Sequence, residues 1–485
     1  MGPQAHLAIN PMKTPLPTRR EIILAGARLT AASVLSASLA PRLRAALAGP
    51  RVFDVADYGA SGDGTRLDTA AIQRAIDEAS ASGGGARVLL RGGKRYLIGA
   101  LTLKSGIDFH LADDAEILIS TDEKDFKGLN AITATNAEGL RISGTGTING
   151  RSPEFMDHYD TVNEWWRPKG FRPRLVVLTG CKDLEIRDVT LSQAPSWTLH
   201  LLGCEHTLVD GIKIRNQLEV PNCDGIDPDH CRDLVIRNCH IICGDDAIVV
   251  KTTQQGANYG PSSNIRVSDC ILETQDSGVK IGTETTQDIS DVRFERCEIR
   301  QSCRGICIQL RDEGNVFNVD FRDIKFVSRY FSEPWWGRGE AISLTAIPRA
   351  PGTKVGSMHD IRVTNVTGTA ENSARVSGSA QSRARDIAFD NVAVTLNRST
   401  KYKGGLWDNR PTTAIAGIEE HGNPGYSIRH ADNVTLKNCR VAWGDNRPDY
   451  FTNALEADDV TGLSYPGFVG EAAHPERDKA VAILG

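Results

Sequence analysis

The stretch "CRDLVIRNCHIICGDDAIVVK" (231–251) alternates apolar and polar residues through two short strand patterns. A similar stretch follows in "SSNIRVSDCILETQDSGVKIG" (262–282), and no amphipathic helix pattern interrupts the two. Because each unit has the same pattern, we expect neighbouring units to fold alike and to stack on one another.

The same pattern extends in both directions from this stretch. Start-to-start spacings run from 23 to 47 residues, and a leucine-rich pattern is missing. The aligned segments are 181–191, 204–214, 231–241, 262–272, 289–299, 316–326, 358–368, 384–394 and 431–441. Repeats of this length built from short strands indicate a solenoid, and the sequence predicts an all-β parallel β-helix in which equivalent residues form columns.

Cysteine positions fit this prediction. Cys239, Cys270, Cys297 and Cys439 occupy one position of the repeat, two residues before an apolar residue. We interpret them as an inward stack of small apolar side chains rather than as disulfides. Cys303 and Cys307, four residues apart, stay open as a disulfide pair.

The ends of the chain differ from the repeat. Residues 1–48 contain "TRREIILAGARLTAASVLSASLA" (18–40), which resembles a twin-arginine export signal, the alternative being a disordered tail. Export would take the protein to the periplasm or outside the cell. Residues 49–130 predict a strand, a capping helix and the first coils, residues 131–441 the β-helix, and residues 442–485 an irregular C-terminal cap.

Composition excludes several classes of function. The net charge of −5 argues against nucleic acid as the main partner. No nucleotide-binding loop, Cys/His metal spacing or serine triad is evident, so we expect no metal and no other cofactor. We expect a monomer with no membrane partner.

Two adjacent carboxylates, Asp245 and Asp246, open a strand that reads as buried. Burying ionised carboxylates side by side is costly unless they serve a purpose. The pair is therefore a candidate functional site.

Several motifs are similar to those of glycoside hydrolase family 28, the polygalacturonase family. They are "FDVADYGASGDGTRLDTAAIQRAID" (53–77), "GTGTINGR" (144–151), "APSWTLHLLGCE" (194–205), "NCDGID" (222–227) and "GDD" (244–246). The resemblance implies a right-handed β-helix with an N-terminal capping helix, and metal-free, inverting hydrolysis. It implies a pectic substrate of the galacturonan or rhamnogalacturonan type.

The resemblance also implies roles for individual residues. Asp245 would be the general acid, and Asp224 and Asp246 would activate water. Asn222 lies in the same motif as Asp224, and we expect it to contact the substrate. Glycoside hydrolysis needs this combination of an acid and a base, with about 6.5–9.5 Å between the carboxyl groups in inverting enzymes.

Two motifs of the family are absent. Asp276 or Ser277 stands where the family has a histidine, and "CIQ" (307–309) replaces its Arg-Ile-Lys. Counting along the repeat places Lys280 in the column of the missing arginine, one coil earlier, with an outward side chain. Our hypothesis is that Lys280, helped by Arg311, supplies the missing cationic contact, with Asp276 and Gln309 as further contacts. The alternative is that Lys280 only neutralises Asp245, Asp246 or Glu284.

An insertion between coils, "EPWWGRGE" (333–340), contains adjacent tryptophans. Trp335 and Trp336 would stack on sugar faces, with Arg338 and Glu340 as polar contacts; alternatively, the tryptophans fix the loop to the solenoid. The "EWWRP" segment (164–168) allows the same interpretations.

Two other functions stay open. A polysaccharide lyase would use Lys280 or Arg311 as its base, often with Ca²⁺. A glycan-binding solenoid would bind sugar without turnover. The match of Asp224 and the Asp245–Asp246 pair favours hydrolysis over both.

Overall fold

The computed structural model describes residues 51–484, so the predicted export signal lies outside the described residues. Strands dominate, with one α-helix, α1 (Thr69–Ala81), and three short 3₁₀ helices (Val55–Tyr58, Glu123–Asp125, Ser152–Phe155) in this part of the chain. The first strands in chain order are β1 (Val52–Asp54), β2 (Asp63–Leu67), β3 (Ala86–Leu90), β4 (Arg95–Ile98), β5 (Leu101–Thr102), β6 (Ile107–Leu111), β7 (Glu116–Ile119), β8 (Asn130–Thr135), β9 (Arg141–Gly144), β10 (Thr147–Asn149), β11 (Met156–Asp160), β12 (Trp165–Pro168) and β13 (Arg174–Thr179). The central strands are β14 (Lys182–Arg187), β15 (Thr190–Ser192), β16 (Leu199–Leu202), β17 (Glu205–Asp210), β18 (Lys213–Arg215), β19 (Ile226–Asp229), β20 (Arg232–Arg237), β21 (His240–Cys243), β22 (Ile248–Thr252), β23 (Ser262–Ser268), β24 (Ile271–Thr274), β25 (Ser277–Thr285), β26 (Ile289–Glu295), β27 (Glu298–Ser302), β28 (Arg304–Leu310), β29 (Val316–Arg322), β30 (Lys325–Ser328) and β31 (Glu340–Ala346). The last strands are β32 (Met358–Ala370), β33 (Asn372–Ser377), β34 (Ala384–Leu396), β35 (Leu406–Asp408), β36 (Ile418–Glu420), β37 (Tyr426–Lys437), β38 (Arg440–Trp443), β39 (Leu455–Thr461) and β40 (Val481–Leu484).

The strands wind into the predicted right-handed parallel β-helix, which confirms the fold class. Each coil contributes one strand to each of three parallel sheets, and each strand pairs with its equivalent one coil before and after. In the central coils sheet A contains β14, β17, β20, β23, β26 and β29; sheet B contains β15, β18, β21, β24, β27 and β30; sheet C contains β13, β16, β19, β22, β25, β28, β31 and β33. The long strands β32, β34, β37 and β39 bend from one sheet into the next.

A left-handed residue opens sheet A in every repeat. The third residue of each aligned segment is Asp, His or Asn and has φ between +50° and +56°. These residues are Asp183, His206, Asp233, Asn264, Asp291, Asn318, Asp360, Asp386 and Asn433. Short polar side chains tolerate this region of φ and ψ better than β-branched ones, which explains why the position stays polar beside apolar neighbours.

Inward side chains from all three sheets form one contiguous apolar core. Cys239, Cys270, Cys297 and Cys439 belong to it as free thiols, which confirms the inward stack. Cys303 and Cys307 are also buried free thiols, so the open disulfide alternative is not realised. Burial of each large apolar side chain is worth about 1.5–3 kcal/mol, and stacked coils repeat this gain.

Helix α1 packs Ile72, Ala75, Ile76 and Ala79 into the core beside the first strands, where the capping helix was predicted. Asp68 precedes the helix but does not cap it, because its carboxylate accepts hydrogen bonds from the backbone of Ser61 and Gly62 instead. No helix within residues 51–484 is both long and apolar enough to cross a membrane.

The prediction of an irregular segment after residue 441 is wrong for two stretches. Strand β39 pairs in parallel with β37, and β40 pairs with β39. Tyr426, Ile428, Leu455 and Ala457 are buried along these strands, so the solenoid continues where the sequence repeat has faded.

Candidate active site

Three carboxylates meet where short turns lead from sheet B into sheet C. Asp224 lies two residues before β19, and Asp245 and Asp246 lie just before β22, one coil later. One carboxylate oxygen from each residue lies within 4.8 Å of those of the other two. Neighbouring parallel strands are about 4.8 Å apart, so adjacent coils bring these side chains together. All three line a cleft of about 520 Å³.

Lys280 neutralises one member of this trio. It lies on β25 between Val279 and Ile281, which point into the core, so its own side chain points outward as predicted. The Lys280 Nζ atom is 2.7 Å from Asp246 Oδ2, and both side chains are almost fully buried. Lys280 also pairs in register with Cys307, the position predicted for the missing arginine.

Lys251 forms a second ion-pair group that the sequence analysis did not assign. Its Nζ atom lies 3.2 Å from Asp224 Oδ2, 2.9 Å from Asp227 Oδ1 and 3.9 Å from the centre of the Trp197 ring. Asp227 is completely buried. It shares the Lys251 ammonium group with Asp224, and its negative charge adds to burial in raising the pKa of Asp224. The sequence does contain a signal for Lys251. Side chains alternate along β22, and Val250 points inward, so its neighbours Val249 and Lys251 point outward.

The two adjacent aspartates differ in their electrostatics. Burial and the neighbouring carboxylates of Asp224 and Asp246 raise the pKa of Asp245 to about 7. Burial also opposes ionisation of Asp246, but the ammonium groups of Lys280 and Lys251 outweigh it and hold the pKa of Asp246 below its usual range. Burial raises the pKa of Asp224 despite Lys251. At neutral pH the site therefore favours one ionised carboxylate beside one that holds a proton.

Asn222 contacts Asp245, and Arg172 contacts Asn222. The backbone and side-chain nitrogens of Asn222 lie 3.1 Å and 3.4 Å from Asp245 Oδ2, and Asn222 is exposed to the cleft. The Arg172 guanidinium donates a 2.6 Å hydrogen bond to Asn222 Oδ1 and others to the carbonyls of Pro195 and Pro221.

Arg172 differs from the other cations that line the cleft. Lys251, Lys280 and Arg167 each lie within 4 Å of a carboxylate, whereas Arg172 has no carboxylate at that distance in residues 51–484. Burial lowers the pKa of Arg172. Arg172 lies in a non-repeating loop before β13, so the repeat pattern contains no signal for it.

Asp276 lies in the cleft, where the family has histidine. Its carboxylate accepts a 2.8 Å hydrogen bond from Ser277 Oγ and lies 3.5 Å from Arg304 NH1. Burial and the charge of Asp246 raise the pKa of Asp276 well above its usual range. Because it faces the same cleft as Asp245, it is placed to contact a ligand.

Arg311 and Gln309 do not reach the cleft, which corrects the expectation that they contact substrate. Arg311 is fully buried and donates hydrogen bonds to Thr345 and to the carbonyl of Asn409. Gln309 is 1% exposed and donates a 2.8 Å hydrogen bond to the carbonyl of Arg410. A loop remote in sequence covers both, and the repeat pattern contains no signal for that cover.

The tryptophan pair has two environments. Both line the cleft, but Trp336 is half-buried, whereas Trp335 is 3% exposed and packs edge-on against Trp165, with ring centres 5.9 Å apart. Cys303, Tyr330 and Phe331 surround Trp335, so this tryptophan fixes the loop to the solenoid, as in the second of the two interpretations. Arg338 and Glu340 are buried and do not line the cleft, so they are not polar contacts there.

His200 is buried and packs against the half-buried Trp197. His200 Nε2 lies 3.0 Å from Asp229 Oδ2, and the two rings meet edge-on at 4.8 Å. Trp197 also lines the cleft beneath Lys251. His200 therefore orients other groups and does not face the carboxylates.

The spacing of the carboxylate trio would also allow one oxygen from each residue to bind a divalent cation. Lys280 and Lys251 already place ammonium groups on Asp246 and Asp224. These charges occupy the oxygens that a cation would use and would repel it. The residues present fit acid–base chemistry better than a metal centre.

Known proteins with similar sequences or folds point in the same direction. A family model described as glycosyl hydrolases family 28 matches residues 88–404. A probable polygalacturonase from Vitis vinifera is 32% identical over 285 residues, which cover 52% of this chain and 56% of that protein. The chain thus spans little more than half the length of this relative.

Solved structures share the fold. A family 28 exopolygalacturonase from Yersinia enterocolitica has a TM-score of 0.66 and 18% identity over 85% of this chain and 78% of its own. A hyperthermoactive exopolygalacturonase from Thermotoga maritima has a TM-score of 0.57 and 22% identity over 71% of this chain and 87% of its own. At these identities the likeness concerns the β-helix alone.

Proposed function

This chain belongs to glycosyl hydrolase family 28, and we propose that it hydrolyses glycosidic bonds in a pectin-type polysaccharide or oligosaccharide. The observation that carries this proposal is the contrast between two adjacent carboxylates. Lys280 lies on Asp246 and keeps it ionised, whereas the pKa of Asp245 is raised to about 7. Paired carboxylates with separated pKa values are the requirement for acid–base glycoside cleavage.

In the proposed mechanism Asp245 protonates the leaving glycosidic oxygen. Asp246 accepts a proton from water, and the buried ion pair with Lys280 keeps it available as a base. Asp224, held with Asp227 by Lys251, helps to position that water. The sequence left two roles open for Lys280. This assignment gives it the second, neutralisation of a carboxylate.

We propose inversion of the anomeric centre because family membership favours it. The oxygen–oxygen spacing within 4.8 Å is shorter than the separation of about 6.5–9.5 Å that is usual between the carboxyl groups of inverting enzymes, so spacing does not carry this part of the proposal. Proton NMR of the first-formed product decides it. An inverted anomer is expected, and a retained anomer would contradict the mechanism.

The substrate's anionic groups have a candidate partner in Arg172. Guanidinium groups bind carboxylates well, and this one lines the cleft with no carboxylate within 4 Å in the described residues. Asn222, Asp276 and Trp336 would contribute the remaining contacts. We propose that Arg172, not Arg311, compensates for the missing cations of the family.

Neither candidate base of the lyase alternative is suited to remove a proton from the substrate. Arg311 is covered, and the pKa of Lys280 is raised above its usual range because the carboxylates of Asp246 and Asp276 outweigh the effect of burial. A lysine held protonated cannot abstract a proton at neutral pH. Product absorbance near 235 nm, with and without EDTA, tests the alternative directly.

The decisive experiment is an activity screen on galacturonan, rhamnogalacturonan and their oligosaccharides, with analysis of product size and of the sugar at the reducing end. New reducing ends without unsaturated product are expected. Binding of these substrates without any turnover would favour the glycan-binding alternative and would overturn the proposal.

We further propose export through the twin-arginine route and action as a monomer outside the cytoplasm. The supporting feature is the Arg19–Arg20 pair ahead of an apolar segment. Replacing both arginines by lysine should leave the protein in the cytoplasmic fraction, and unchanged localisation would contradict the route.

A further inference from the structure

Sheet C continues past the carboxylates, but its outward face does not stay open. In register with Lys280 on β25, the next outward positions are Cys307 on β28, Ser343 on β31 and Arg375 on β33. Unlike Lys280, none of these three described residues lines the cleft. A groove running along the stacked coils would need these positions as its floor.

The cover is the segment that contains the β35–β36 hairpin. The carbonyl of Asn409 accepts from Arg311, and the Asn409 side-chain oxygen accepts a 2.8 Å hydrogen bond from Arg375 NH2. The Arg375 guanidinium also lies 4.3 Å from the centre of the Trp407 ring. The hairpin therefore occupies the place that further sugar units would take.

The same segment is joined to the loop that forms the rim of the cleft. Asp408 Oδ2 accepts a 2.7 Å hydrogen bond from the backbone nitrogen of Gly337, and Arg410 NH2 donates a 2.8 Å bond to the Trp335 carbonyl. Asp408 is buried and also pairs with Arg410. These contacts fix the cover against the cleft.

A third segment contacts the same loop from the other side of the carboxylates and supports the cover. The β11–β12 hairpin reaches the same loop, where the Asn163 carbonyl accepts from Ser332 Oγ. Glu164 on this hairpin accepts hydrogen bonds from Lys401 and Tyr402, just before the cover. Loops from both flanks of the carboxylates thus meet one another.

We infer that the cleft is closed beyond Lys280 and that the protein acts at the end of a sugar chain. One coil separates Asp246 from Lys280, an advance of about 4.8 Å, which is close to the length of one pyranose unit. On that side the site has room for about one sugar, so a long chain can leave the cleft in one direction only. This inference rests on the proposed function.

Product analysis with wild-type protein tests the inference. On polygalacturonate we expect one small product size from the earliest time points and a slow fall in viscosity relative to the release of reducing ends. A ladder of intermediate sizes with a rapid loss of viscosity would overturn chain-end action while leaving hydrolysis intact. Labelling oligosaccharides at the reducing end would show which end is used.

Binding provides a test that does not need turnover. Calorimetry with the Asp245→Asn variant should give one protein per chain for both a short and a long oligogalacturonide. Several proteins on one long chain would overturn the closed cleft. Absence of both hydrolysis and binding would remove the proposed function and this inference with it.

A truncation tests whether the β35–β36 hairpin is the segment that closes the cleft. Replacing residues 406–420 by a short Gly-Ser linker should produce internal cleavage and a ladder of products, provided that circular dichroism shows a native β-helix. A folded truncation that still releases one product size would show that the hairpin is not the closure and would overturn the inference. If the truncation does not fold, the product sizes released by the wild-type protein and by the Trp336→Ala variant decide between chain-end and internal cleavage.

Discussion

The outward face of sheet C has two halves with contrasting chemistry. On β19, β22 and β25 charged side chains line an open cleft, with Lys251 and Lys280 paired to aspartates. Arg311, just after β28, and Arg375 on β33 instead lie under the β35–β36 hairpin and do not line the cleft. The backbone is the same in both halves. Loop cover, rather than strand position, determines which charges can meet a substrate.

The largest expected effect is on the acid in the open half. Asp245→Asn removes the proton donor and should lower kcat by about 10²–10⁴-fold, the usual contribution of a general acid. Steady-state kinetics on pectic oligosaccharides measure this.

Asp269→Asn is the matched control. Asp269 pairs with Arg296 and does not line the cleft, so kcat should be unchanged. Equal activity of Asp245→Asn and wild type would remove Asp245 from the mechanism.

The pH profile should reflect the same two carboxylates. Asp245 must be protonated, so kcat/KM should fall about tenfold per pH unit above its pKa of about 7. Asp246 must be ionised, and its lowered pKa places the acidic limb below the usual range of aspartate. A basic limb that persists in residual Asp245→Asn activity would assign that pKa to another group.

The same pKa has a consequence for stability. The pKa of Asp245 is raised in the folded protein, so its stabilising contribution is present at low pH and is lost as pH rises through about 7. Asn cannot ionise, so Asp245→Asn should unfold at a higher temperature than wild type at pH 8, with a smaller difference at pH 5. Thermal unfolding at both pH values tests this sign.

Breaking the ion pair of the open half should affect both folding and catalysis. Lys280→Ala leaves Asp246 buried without its nearest cation, and loss of one partner of a buried pair costs about 3–5 kcal/mol. The pKa of Asp246 should rise, so the acidic limb of the rate profile should move to higher pH.

Lys280→Arg retains the charge and is the matched comparison. Denaturant unfolding and pH–rate profiles measure the two effects. If the alanine variant kept both its stability and its acidic limb, the neutralising role would be wrong.

Replacing Arg172 tests whether a cation without a carboxylate partner binds the anionic groups of the substrate. Arg172→Ala should raise KM for unesterified oligogalacturonide by about tenfold or more, as expected for loss of a charge-assisted hydrogen bond. The effect on a methyl-esterified oligosaccharide should be smaller. Lys169→Ala, a nearby exposed cation outside the cleft, is the control. An equal fall in kcat on both substrates would indicate that Arg172 only positions Asn222 and Asp245.

The smallest effect is expected in the core beneath both halves. All eleven cysteines are free thiols, so a reductant should leave the unfolding temperature unchanged. Cys270→Ala should cost about 1 kcal/mol, since it removes one small buried group. Thermal unfolding with and without reductant measures both, and a large reductant effect would contradict the thiol stack.

Sequence and tertiary structure each determined part of the site. The repeat predicted the coils, the inward cysteine column and the outward orientation of Lys280, because these depend on strand alternation and stacking alone. Resemblance to the family indicated Asp224, Asp245 and Asp246, which the structure brings together. The faded repeat after residue 441 hid β39 and β40.

What the sequence alone determined is the solenoid and the column in which each side chain lies, since both follow from a local period. The tertiary structure decided which columns stay open. Arg311 and Gln309 are covered by a hairpin about a hundred residues later. Arg172 reaches the cleft from a loop outside the repeat. Burial and charge pairing depend on contacts between segments far apart in the chain, and a local pattern contains no information about them.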